Sequence, residues 1–174
     1  SSDVCSSDLI LCVGPGSVAW AAERAGKVEE IKGTVWAQMA GEERRALAKD
    51  AVFYVSDTIT TEAAAMVTLL FDDNTRFNLA PEAAMAVDQF SFNRPQQANS
   101  FSSRVLKGTF RFVTGLIAKS RPEDMEVRTT VAVIGIRGTQ VIGETTATSA
   151  TIILLEPEDK SRQSIIQVAN QFGS

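Results

Sequence analysis

The clearest periodicity in the chain lies between residues 63 and 79. Ala65, Val67, Leu69 and Phe71 recur at every second position, which puts them on one face of an extended strand. Asp72-Asp73-Asn74-Thr75 then reads as a tight turn, because Asp and Asn tolerate left-handed backbone and bond to nearby amides. Arg76 to Leu79 returns with Phe77 and Leu79 inward, while Thr68, Arg76 and Asn78 face solvent. The pattern predicts a half-buried antiparallel hairpin.

The same period of two recurs elsewhere. Val28 to Gln38, punctuated by Gly26 and Gly33, reads as strand, as do Ala51 to Tyr54, Thr58 to Thr60 and Met85 to Val87. Phe101 to Val105 and Thr109 to Val113 read as two strands broken at Lys107-Gly108, with Phe110 and Phe112 sharing a face. Met125 to Ile142 is β-rich throughout, and Ile152 to Leu155 and Ile165 to Val168 follow. Glu42 to Lys49 admits either a helical turn or two or a loop, and Pro81 to Met85 a corner. Residues 93 to 100 are polar and read as an exposed loop. About ten to twelve short strands at fairly regular spacing, with no convincing long helix, predict an all-β fold. The expectation is a single domain of many short antiparallel strands, a sandwich or roll, with a short β-solenoid as the alternative.

The two ends read differently from the body. Residues 1 to 9, Ser-Ser-Asp-Val-Cys-Ser-Ser-Asp-Leu, nearly repeat themselves and look like translated adaptor DNA. Leu9 to Ala22 reads as the apolar part of a secretory leader running into an Ala-x-Ala site at Ala19-Trp20-Ala21, with a buried strand as the alternative. Residues 1–22 are therefore set apart from a β domain at 23–174. That domain is expected to be truncated at its C-terminal end, since the chain stops on Gly173-Ser174 after a strand-like run.

Composition narrows the chemistry more than the fold. Histidine is absent, so Ser-His-Asp and Cys-His nucleophile systems and histidine-containing zinc sites are excluded. A hydrophobic share of 44% supports a packed core, yet no uncharged apolar run reaches the roughly 18 residues of a membrane span. The net charge of −4 argues against a nucleic-acid partner, which requires a basic face. Cys5 and Cys12 both precede residue 20, so a mature domain would carry no cysteine. Asp72, Asp73 and Asn74 invite a calcium reading, but no acidic loop of full ligand spacing follows and a β-turn explains them. Asp57 reads as a turn residue bonding its own backbone amides, and Glu42-Glu43-Arg44-Arg45 as a solvated, self-paired charge run. Phe90, Phe92, Phe101, Phe110 and Phe112 read as core in preference to a ligand face. No cofactor, metal ligand set or catalytic residue is expected.

Thr129-Thr130-Val131-Ala132-Val133-Ile134-Gly135-Ile136-Arg137-Gly138-Thr139 resembles the signature of FecR domains, in which a Thr-Pro-x-Ala-x-x-Gly-Val-Arg-Gly-Thr run precedes a further strand. Thr130 replaces the usual Pro. Gly33-Thr34-Val35, Leu47 with Asp57 to Thr61, Leu70 to Thr75 with Leu79, and Phe110 to Gly115 resemble other family segments in the expected order, over roughly residues 26 to 142. The resemblance implies an extracytoplasmic all-β domain whose best-known members relay siderophore occupancy of an outer-membrane receptor to a sigma factor.

The function expected is a non-catalytic binding or signalling module in the bacterial envelope, periplasmic or secreted, with an envelope protein as partner. The alternative is a structural domain of a larger exported protein, and a carboxylate-dependent hydrolase is the remote one. Gly135, Arg137, Gly138 and Thr139 form the candidate signature: the glycines either present Arg137 to a partner or let it pin a strand crossing internally. Trp36 is the best candidate for a carbohydrate platform, though a core or edge-strand role suits it better.

Overall fold

The computed structural model describes residues 22–93, 97–137, 140–155 and 165–170. Most of the leader-like segment, the Arg94-Pro95-Gln96 loop tip and the Glu156 to Asp159 turn lie outside the described residues. The chain begins with β1 (Arg24–Lys32), β2 (Val35–Met39), β3 (Arg45–Ala46), β4 (Val52–Tyr54) and β5 (Asp57–Thr61). The predicted hairpin is β6 (Met66–Phe71) and β7 (Arg76–Leu79), followed by β8 (Ala84–Ser91) and β9 (Ser100–Val113). A short helix, α1 (Leu116–Ser120), and a 3-10 turn at Pro122–Asp124 lead into β10 (Met125–Arg128) and β11 (Ala132–Arg137). The last strands are β12 (Gln140–Thr145), β13 (Ala150–Leu155) and β14 (Ile165–Asn170).

All fourteen strands join one curled sheet, a half-barrel roll whose two halves face each other. One half runs β4-β1-β6-β7-β9-β12-β13 and the other β3-β2-β5-β8-β9-β10-β11-β14. Pairing is antiparallel except for β9 with β10, which run parallel. The parallel coils of a β-solenoid are therefore not the architecture here.

β9 departs from the expectation of short strands. The break anticipated at Lys107-Gly108 is a bend inside one strand of 14 residues. Its first half pairs with β8 and β10, its second half with β7 and β12. Gly108 adopts φ +93°, and a Cβ there would meet Ala83 Cα at 2.6 Å. A left-handed residue pressed against a neighbouring backbone is a position only glycine fills without strain. The sequence cue was sound as punctuation; what followed it was a corner, because both halves find partners on opposite sheets.

Between the halves lies a phenylalanine-rich core. Phe71 of β6 meets Phe90 of β8 and Phe101 of β9 across the roll, at ring-centroid distances of 5.4 and 4.8 Å. Phe77 stacks between Phe110 and Phe112, at 5.8 and 5.5 Å. Phe90, Phe101, Phe110 and Phe112 are buried and Phe92 packs against the cluster half-buried, as alternation implied. Glu42 to Lys49 forms a turn with the two-residue β3, and no helix.

Candidate functional site

The signature segment forms the β10–β11 corner. Thr129 is buried, and its Oγ1 accepts from the amides of Ala132 (3.0 Å) and Val131 (3.4 Å), closing a turn that delivers β11 into the sheet. Thr130, where the related signature has proline, binds sideways. Its hydroxyl donates to the Thr146 carbonyl and lies 3.2 Å from Thr145 Oγ1. A proline would lack both contacts. In this chain the corner is tied to the β12–β13 turn of the opposite half instead, and Thr146 there also accepts from the Ser149 amide.

Along β11, Ala132 and Ile134 are buried, and Val133 and Gly135 lie on the other face. Gly135 pairs with Glu126 of β10 and Gln167 of β14. Its φ is not left-handed, and the nearest atoms to an added Cβ are those of Gln167, at 3.9 Å. Neither backbone conformation nor packing among the described residues requires glycine there. By contrast, a Cβ on Gly115 would meet the Asp73 carbonyl at 2.3 Å. The backbone of Arg137 pairs with Ile165, while its side chain, Gly138 and Thr139 lie outside what is described.

Beside this corner, the β9 bend, the Pro81-Glu82 turn and the β12–β13 turn enclose a cleft of about 740 Å³. Glu82, Lys107, Thr130, Glu144, Thr145 and Thr146 contribute its polar lining. Glu82 and Glu144 are both exposed.

Trp36 sits half-buried on β2. Its Nε1–H donates to Glu62 Oε1 at 2.7 Å, and the Arg44 guanidinium lies 4.4 Å above the ring. One face of the indole is thus covered by a cation–π contact. Trp36 and the signature segment are not brought together by any pairing of their strands.

The charge run at residues 42–45 is not simply self-paired, because Arg44 lies over Trp36 and Arg45 reaches Asp57. Arg45 forms a two-pronged ion pair with Asp57, Nη1 donating to Oδ1 at 2.9 Å and Nη2 to Oδ2. Asp57 is fully buried and also accepts from the Tyr54 amide at 2.8 Å. The Asp57 hydrogen bonds, opposed by partial burial, raise the affinity of Arg45 for its proton. Sequence reasoning found the backbone bond of Asp57 and missed Arg45, since nothing in a mixed charge run announces which member leaves it.

The Asp72-Asp73-Asn74 turn is used internally. Asp73 is buried and accepts from the Thr75 amide (3.0 Å), the Thr75 hydroxyl (2.8 Å) and the Ile117 amide (3.4 Å). Asp72 pairs with Arg24 at 3.1 Å. Among the described residues no three His, Cys, Asp or Glu side chains converge in a metal-binding group, and no helix is long and apolar enough to cross a membrane.

A family model described as FecR protein matches residues 57–157, from the start of β5 past the end of β13. No curated protein and no solved structure gives a match.

Proposed function

Because this chain belongs to the FecR family, a family of regulatory and signalling proteins, we propose that it is a non-catalytic binding module whose signature corner captures a protein partner in the bacterial envelope, periplasmic or secreted. The observation that carries the reading is the bare backbone at Gly135. Among the described residues, an added Cβ on this signature glycine would meet nothing closer than 3.9 Å, so no described packing contact requires glycine. It does leave the strand open to close approach by another chain. The adjoining cleft supplies hydroxyls and both charge signs, which suits a polar peptide surface.

The test is Arg137→Ala, read in two ways. Crosslinking in cell envelopes should lose its captured protein, while the purified variant should melt within about 2 °C of the parent, the range of a substitution that removes no internal contact. A large loss of stability would instead assign Arg137 to pinning the corner, and undiminished capture would remove the signature from the binding surface.

A further inference from the structure

Arg45, Arg76, Arg104 and Arg128 each hold a carboxylate. Arg44 holds none, although Glu42 and Glu43 lie beside it in sequence. Its exposed guanidinium rests 4.4 Å from the centre of the Trp36 ring, and among the described residues it has no other partner. The ring is itself fixed, since its Nε1–H donates to Glu62 Oε1 at 2.7 Å. A guanidinium held over an indole is already positioned, and it gives up little further freedom when its N–H groups are engaged. Those N–H groups form a planar fork that matches the two oxygens of a carboxylate.

The strand pairings place this fork at one end of a row on the outer face of the roll. Trp36 of β2 lies opposite Thr60 of β5, Thr60 opposite Ala84 of β8, and Ala84 opposite Lys107 of β9. Lys107 is exposed and likewise has no partner among the described residues. Between the two cations the side chains are short, Thr60 half-buried and Ala84 buried. Three strand spacings separate Trp36 from Lys107, about 14 Å along the sheet. Four residues of extended chain span about 13 Å, and the first and fifth of them point to the same side. We propose that this face binds an extended acidic segment of a protein partner, with one carboxylate on the Arg44 fork and a second, four residues on, at Lys107. The net charge of −4 offers an acidic ligand no long-range attraction, so the affinity comes from these two contacts. The site shares only Lys107 with the cleft and nothing with the signature corner, so it is tested apart from the function proposed above.

The experiment uses the full chain with Trp20→Phe, which leaves Trp36 as the sole tryptophan. The probe is the peptide acetyl-Glu-Thr-Thr-Thr-Glu-amide, and binding is followed by Trp36 emission and by amide NMR shifts. Saturable binding is expected, with half-saturation at about 2 mM or below. Arg44→Lys should weaken it about tenfold, because an ammonium has no planar fork. Lys107→Gln should weaken it about threefold or more, as should moving the second Glu one place closer, which turns it to the opposite side of the peptide. Both side chains are exposed, so both variants should melt with the parent. Absence of saturation up to about 20 mM overturns the proposal. So does equal binding of the peptide with Gln in place of both Glu, or binding undiminished by Arg44→Lys or by Lys107→Gln. Binding of a galacturonate polymer without binding of the peptide overturns the choice of occupant.

Discussion

At the residue scale, the most informative group is Asp57. It is a carboxylate with 0% side-chain exposure whose oxygens are shared between Arg45 and the Tyr54 amide, so it joins the β3 turn to the start of β5. Removing it strands a guanidinium that is still 35% exposed and so partly solvated. We expect Asp57→Ala to cost about 2–3 kcal/mol, less than a fully buried pair would. Urea unfolding should show the midpoint falling at unchanged slope. Half of this arrangement was legible in the sequence, because an Asp at a turn bonds its neighbouring amides as a matter of local geometry. Arg45 was not. Its partner lies 12 positions away, and the choice between Arg44 and Arg45 depends on which face of the β3 turn meets the sheet. The same limit applies to Trp36, since nothing in the sequence placed Arg44 over its ring.

At the element scale, alternation made the strands legible, and connectivity was read less well. The β6–β7 hairpin has Val67 opposite Leu79 and Leu69 opposite Phe77, as alternation across a tight turn requires. β9 was divided in two because a glycine in a strand marks a bend, a bulge or an end, and sequence alone does not choose among them. The choice is made by Ala83, whose backbone occupies the space that a side chain at position 108 would need. Gly108→Ala combines that clash with a left-handed φ and should destabilise the fold by about 2–4 kcal/mol. A nearby Ala80→Gly control separates bend-specific strain from general loosening. If Gly108→Ala melts with the parent, the bend does not depend on glycine.

At the scale of the whole molecule, charge pairs lie across the outer surface of the roll. Arg76 of β7 reaches over β6 to Glu29 of β1, with Nε donating to Oε2 at 2.9 Å. The hydrogen bond from Arg76 holds the Glu29 carboxyl below its ordinary value of 4.5. A carboxyl whose affinity for protons is lower when folded adds stability above the unfolded value. That stability is lost as pH falls through the lower, folded one. Acidification from about pH 6 to about pH 3 should therefore destabilise the parent more than an Arg76→Met variant, measured by melting temperature at each pH. Equal slopes would mean that the pair contributes nothing in solution, as many surface pairs do. The all-β class was legible at this scale from strand density alone. The roll was not, since closure depends on one strand serving two sheets.

That shared strand also sets an order of events. During synthesis β1, β4, β6 and β7 on one side and β2, β5 and β8 on the other leave the ribosome before β9 does. Each group can form hairpins of its own, yet both lack their central strand until residue 113 has emerged. Until then neither half can be completed, and Phe71 and Phe77 lack the Phe101, Phe110 and Phe112 of β9 that they meet in the roll. Completion of the roll waits on β9, which then becomes available to both halves at once.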